Sequence, residues 1–315
     1  MTSNNLSTPS VAAKIPTHPS SPNPTIDLER RAKARRSLKL FFSLVAGFNI
    51  LFVAIVALTG NTIWFVALMW SVALSSIICR LVFREGFKDV SFRFGGRRTL
   101  AYIAAGLVFP VVVGILSYGT AWLTGLAAFT SPPGGFFGGL LLAVTVTTAL
   151  GCITTTGEEI GWRGYMLTRL IDAGVPRPVL ASGVIWTLWH APLIIVGLYQ
   201  VGGGTPLLGL LGFAATTTSA AFLLARVRLA TGSIWPAVVL HGAWNSVIQS
   251  AFDPAVAGHG SSMWLGEGGI LVAIVVVGLT ILATRGRWTM LRAPGILFDA
   301  PHQAPRTERG RTLVP

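Results

Sequence analysis

The stretch GEEIGWRGYML, residues 157–167, places Glu158, Glu159 and Arg163 inside a long apolar region. A charge at the centre of a bilayer costs at least about 2.5–3.5 kcal/mol on insertion scales. Three such residues need partners or a purpose. Working outward, the chain has 315 residues, 52% of them hydrophobic and only 11% charged. Its mean hydropathy is +0.67. A soluble domain of this size carries about a quarter charged residues.

The apolar residues come in long runs: Leu40 to Leu58, Ile63 to Val82, Leu100 to Leu123, Phe136 to Ile153, Val179 to Tyr199, Leu207 to Ala225, Ile234 to Ile248 and Ile270 to Ala283. Most reach the roughly 17–25 residues that span a hydrocarbon core, and two are shorter. The pattern predicts an all-α polytopic transmembrane bundle of about eight spans.

The net charge of +13 could suggest nucleic-acid binding, but the placement of the cations argues otherwise. Lys14, Arg30, Arg31, Lys33, Arg35, Arg36 and Lys39 precede or begin the first span. Arg80, Arg84, Lys88, Arg93, Arg97 and Arg98 lie between spans two and three. Arg169 with Arg177, and Arg226 with Arg228, flank two later turnarounds, and six arginines follow the last span. The connections near Gly60, Ser131, Gly203 and Gly258 carry no Lys or Arg. Eight spans of alternating sidedness put every loop and tail cation on one face, as the positive-inside rule requires. The expectation is a multi-pass cell-membrane protein with both termini cytoplasmic, in contact with lipid and not with nucleic acid. The Ser-, Pro- and Asn-rich residues 1–37 read as a disordered basic tail, as do residues 285–315. Cys79 and Cys152 both sit in apolar runs and read as small packing residues, not as a disulfide or zinc framework.

Polar residues converge in depth. Glu158 is eleven residues before Arg169, roughly 16 Å from the basic edge at helical rise. His190 and His241 are each thirteen residues beyond Arg177 and Arg228, at roughly 20 Å. Three ionisable side chains from three helices thus reach one level. Glu159 and Arg163, four apart, share a helix face and can pair. Glu158 is turned about 100° away and has no sequence-local counter-charge, which suits a general base. His241 and Asn245 repeat the four-residue spacing, as do Trp186 and His190, so the Trp186 indole can wall and orient the imidazole.

Together, EEIGWR, WTLWH and HGAWN fit the motifs E-E-x-x-x-R, aromatic-x-x-x-His and His-x-x-x-Asn. In this order, on successive membrane helices, they resemble the CAAX protease and bacteriocin-processing enzyme family, also called CPBP or Abi. The resemblance covers about Phe136 to Ser250. It implies an intramembrane endopeptidase. Glu158 and His190 would activate the attacking water, and His241 and Asn245 would polarise the scissile carbonyl and hold the oxyanion. The substrate would be a peptide or protein, lipidated or membrane-embedded. No metal is expected; the alternative is a zinc site built from Glu158, His190 and His241. On this reading 38–135 are accessory transmembrane helices, 136–250 the catalytic core, and 251–284 an outer loop with the last span. The competing classes are a transporter, for which no internal repeat is visible, and a non-catalytic membrane immunity or scaffold protein.

Overall fold

The computed structural model describes residues 24–284. It is a helical bundle: α1 Pro24–Thr59, α2 Trp64–Phe83, α3 Arg97–Thr124, α4 Phe136–Asp172, α5 Pro178–Ile195, α6 Pro206–Thr231, α7 Trp235–Val247 and α8 Ile270–Thr284. The β-structure among the described residues is a two-residue antiparallel pair, Ala128–Phe129 with Val256–Ala257. Local chemistry sets several of these boundaries. α5, α6 and α7 begin with a proline in the first turn, where the missing N–H is no loss. The Thr205 side chain accepts a hydrogen bond from Leu208 N and caps α6. α3 and α6 end on left-handed Gly125 and Gly232.

Six helices, α1 to α6, are long and apolar enough to cross a membrane. Of the eight expected, the last two are shorter. α7 is continued by a π turn at Ile248–Phe252, and α8 is a 15-residue apolar helix. Two boundaries differ from the sequence reading. α1 starts at Pro24, so residues 24–37 are helix and not tail. The reason is tertiary: Ala34, Ser37 and Leu38 are buried, and Arg30 pairs with Asp172 at the far end of α4. The remainder of the expected N-terminal tail, and all of the C-terminal one, lie outside the described residues. α4 is one helix of 37 residues, interrupted only by π turns at Ala143–Thr147 and Trp162–Met166. At 1.5 Å per residue it is about 55 Å long, well beyond a hydrocarbon core.

α4 is the axis of the molecule. α2 packs on one side of it and α7 on another; α7 also packs on α3, α5 on α6, and α8 on α6 and α3. Glycines allow the close contacts of α4 with α2 and α7. A Cβ on Gly157 would lie 2.9 Å from Trp70 Cα, and one on Gly161 2.4 Å from Val72 Cγ1 and 2.7 Å from its carbonyl oxygen. The GEEIG segment is thus a small-xxx-small surface, of the kind that lets membrane helices touch without a hydrophobic driving force. On the α7 side, a Cβ on Gly242 would sit 3.0 Å from Cys152 N. These approaches press both glutamates toward α5 and α7. Phe41, Leu68, Val72, Trp162, Tyr165 and Met166 form the core where α1, α2 and α4 meet. Val113, Tyr118, Phe252, Val272 and Val276 form a second core between α3, α7 and α8.

The two ends of the bundle differ in charge. At one end Arg169 binds Glu85 at 3.1 Å, Asp89 at 3.0 Å and Asp172 at 2.9 Å, and Arg80 binds Asp89 and the Gly164 carbonyl. At the other end the connections 60–63, 125–135, 196–205 and 253–269 contain no Lys or Arg.

Gly161→Ala should lower the stability of the detergent-solubilised protein by about 1–3 kcal/mol, the usual cost of forcing a methyl into a filled contact. Gly138→Ala, on the same helix with nothing within 4 Å of its Cβ, is the control and should cost nothing measurable. Thermal unfolding of both variants, read against the wild type, decides this; equal midpoints would mean that the α2–α4 contact is not the constraint.

Candidate active site

Glu158 is the buried carboxylate closest in sequence to the Gly157 contact, and it is 1% exposed. Its Oε2 accepts hydrogen bonds from Trp186 Nε1 at 2.9 Å and Trp162 Nε1 at 3.2 Å. Two indole donors from two helices fix one oxygen. Oε1 takes no hydrogen bond from a described residue, and the side chain lines a cavity of ≈ 220 Å³. Glu158 makes no ion pair among the described residues, as its position on the helix led us to expect.

Glu159 points the other way. Its Oε1 accepts from Arg163 NH1 at 2.8 Å and stands 2.9 Å from His241 Nδ1. The expected Glu159–Arg163 pair therefore forms, and the same oxygen also reaches α7. Neither Glu159 nor Arg163 lines the cavity; they stand behind it, 0% and 1% exposed. Arg163 lies 4.2 Å from the Trp186 ring centroid, in a cation–π geometry. Its Nε and NH2, and Glu159 Oε2, have no hydrogen-bond partner among the described residues.

The ring nitrogens can be assigned from what they face. His190 Nδ1 is 3.0 Å from the Trp186 carbonyl, which can only accept, so Nδ1 carries the proton. His241 Nδ1 faces a carboxylate and donates to it. In both rings Nε2 is left to the cavity, whose lining includes His190, His241, Glu158 and Asn245. Glu158, His190 and His241, expected at one depth, share one cavity, and Asn245 lines it with them. The expected role of Trp186 needs correction: it orients His190 through its backbone carbonyl, while its indole N–H serves Glu158. Its ring still packs edge-on against both imidazoles, at 5.9 Å and 5.1 Å. Trp189 closes on His190 from the next position along α5, at 4.6 Å.

The zinc alternative fits poorly. Among the described residues no group of three His, Cys, Asp or Glu side chains is placed to hold a metal ion. One oxygen of Glu158 is already committed to two indoles. Cys152 contacts the Val238 carbonyl through its thiol at 3.9 Å and does not line the cavity.

Sequence reasoning missed Trp162 as a ligand of Glu158, although it sits four residues on, at the same i,i+4 spacing used for Glu159 and Arg163. It also missed Glu267, Tyr199, Trp244 and Gln249, which line the cavity beyond Asn245. Trp244 could have been found inside HGAWN; Glu267 follows no spacing rule, since it lies on a connection.

A comparison with curated proteins finds no match for the chain. The family comparison does: residues 137–247 match the model described as type II CAAX prenyl endopeptidase Rce1-like. Those residues contain Glu158, Glu159, Arg163, His190, His241 and Asn245 and all three helices that carry them. The segment that carries these six residues is therefore similar to the type II CAAX prenyl endopeptidase Rce1-like family, in keeping with the CPBP/Abi resemblance of its motifs.

Proposed function

We propose that the chain is an intramembrane endopeptidase that activates water with Glu158 and His190 and holds the oxyanion with His241 and Asn245. The observation that carries this reading is the single cavity lined by all four residues, within the family-matched segment. Glu158 Oε1 and His190 Nε2 are acceptors turned to that space, so a water there can lose a proton to either. The attacking hydroxide adds to the scissile carbonyl. The proton then passes to the leaving amine from whichever group took it. The Asn245 amide donates to the oxyanion in every protonation state. His241 Nε2 donates when the ring holds both protons, and the Glu159 carboxylate at Nδ1 holds the ring in place. Arg163 in turn holds Glu159. No step in this scheme runs through a metal.

The substrate is a peptide or protein met in the membrane. The orientation that goes with this reading follows from the charged end of the bundle: Arg80, Arg169 and their neighbours face the cytoplasm. The cavity is built from the first turns of α2, the last turns of α5 and the second half of α7, so it lies in the opposite half. Reporter fusions after Gly203 and Gly260 should read outside, and those after Arg98 and Arg228 inside. One robust reversal among the four would break the topology.

The two glutamates separate by experiment. Glu158→Gln should abolish peptide cleavage while the purified protein keeps its wild-type melting temperature within a few degrees. Glu159→Gln should act on both, because it leaves Arg163 as an unpaired buried charge, a loss of about 3–5 kcal/mol, and weakens the acceptor at His241. A stable, fully active Glu159→Gln enzyme would sink this assignment.

Asn245→Ala should lower kcat by about 10²–10³, the usual loss for one oxyanion donor. Activity should survive prolonged chelation. Stoichiometric zinc, lost with activity on chelation and restored by zinc alone, would defeat the scheme and turn Glu158, His190 and His241 into ligands.

A further inference from the structure

Beyond Asn245 the cavity contains a carboxylate that the water-activating scheme does not use. Glu267 is 5% exposed and sits on the connection leading into α8. Its Oε1 accepts from Trp244 Nε1 at 2.6 Å and Gln249 Nε2 at 3.3 Å, and its Oε2 accepts from the Tyr199 hydroxyl. Gln249 also donates to the Tyr199 oxygen at 3.0 Å. All three partners are neutral. No Lys or Arg lines the cavity, and Glu267 has no ion pair among the described residues.

We propose that this part of the cavity is a subsite for a cationic side chain, lysine or arginine, of the peptide substrate, with Glu267 as its counter-charge. The inference rests on the peptidase reading and names its specificity. A carboxylate offers about four acceptor positions, and the neutral donors use three. They hold the group rigid and leave its charge uncompensated, which is the preorganised state a cationic ligand rewards. The walls suit the rest of such a side chain. Tyr199, Phe213, Trp189 and Trp244 present ring faces and edges that can cover an aliphatic stem and meet a cation. Trp244 precedes Asn245 directly, so the subsite adjoins the oxyanion position, and the recognised residue lies close to the scissile bond. The approach is matched too. On the connections at this end of the bundle the charged residues are Asp253 and Glu267, with no Lys or Arg, so the local field draws cations in. Asp253 accepts from the Tyr118 hydroxyl and does not line the cavity, so Glu267 is the acidic group of this end that faces it.

A second possible role for Glu267 is purely structural, joining the 253–269 connection to α7 and to the segment after α5. The experiment has to separate the two. The purified full-length protein is given a library of amphipathic peptides in detergent micelles, and the cut sites are read by mass spectrometry. Lysine or arginine should be enriched at one fixed position beside the cut. Replacing that residue by citrulline or glutamine should lower kcat/KM at least about tenfold, through KM. In Glu267→Gln, which keeps an acceptor for Trp244, the basic and neutral peptides should be cut equally well. Glu267→Lys should prefer an acidic residue at that position. Cut sites with no basic preference, or a Glu267→Gln loss equal for both peptides, would overturn the subsite. The wild-type peptide comparison stands even if the variants fail to fold. If nothing in the library is cut, the peptidase reading fails. Binding of the matched lysine and glutamine peptides to the Glu158→Gln protein, by fluorescence anisotropy, then judges the subsite alone: at least about tenfold tighter binding of the lysine peptide supports it, and equal affinities overturn it.

Discussion

One carboxylate oxygen holds two helices in register. Glu159 Oε1 meets Arg163 on its own helix and His241 on α7, with no exposure to solvent. In low dielectric, neither the carboxylate nor the guanidinium is tolerable alone, and the cost of desolvating both exceeds what one contact returns unless the geometry is good. The geometry here is incomplete: three polar atoms of the pair lack partners among the described residues. A pair kept in that state is a weak source of stability. What it does supply is position. With Nδ1 of His241 fixed, the ring cannot flip, and Nε2 stays aimed at the cavity.

That interaction is possible only because the backbones of α4 and its neighbours come unusually close. Gly157 and Gly161 bracket the two glutamates and give α4 a flat surface against α2. Gly151 and Gly242 do the same between α4 and α7, where a Cβ on Gly151 would sit 3.2 Å from the Gly242 carbonyl. Glycine destabilises an isolated helix by about 1 kcal/mol relative to alanine, and here helix–helix contact offsets it. The π turn at Trp162–Met166 follows the motif directly. Within it the Gly164 carbonyl accepts from Arg80 NH2 at 2.9 Å, so the irregular turn is bonded to the charged end of the bundle. Site geometry and the basic collar are therefore linked along one helix.

Much of this was legible in the sequence because membrane helices obey a few strong rules. The apolar runs set the helices, and counting from each basic edge brought Glu158, His190 and His241 to one level. The i,i+4 rule found Glu159 with Arg163 and left Glu158 apart. The rules failed where tertiary contact decides. The start of α1 at Pro24 depends on burial of Ala34 and Leu38 against α4, which no local pattern in ERRAKARR discloses. The second partner of Glu159 needs the α4–α7 crossing. Glu267 lies on a connection, with no periodicity to read, and its partners come from two separate segments, α7 with its π-turn extension and the connection after α5.

The charge distribution along the bundle also bears on what the buried groups are for. Ionisable residues at mid-depth can mark an ion path as readily as a catalytic centre. A path must continue past the site. Going along α4 from Glu158 toward the basic end, the next layers are Trp162, Tyr165 and Met166, each fully buried, with Phe41 and Leu170 against them. The Tyr165 hydroxyl is bonded to Ser37 and its ring is covered by Arg80 and Arg169. Among the described residues at that end, Arg169 pairs with Glu85, Asp89 and Asp172, and Arg80 with Asp89. The cavity carries Glu158 on its lining and extends to Tyr199 and Glu267. A pocket with the Glu158 carboxylate on one part of its lining and the Glu267 carboxylate on another suits the holding of one polar segment of a chain.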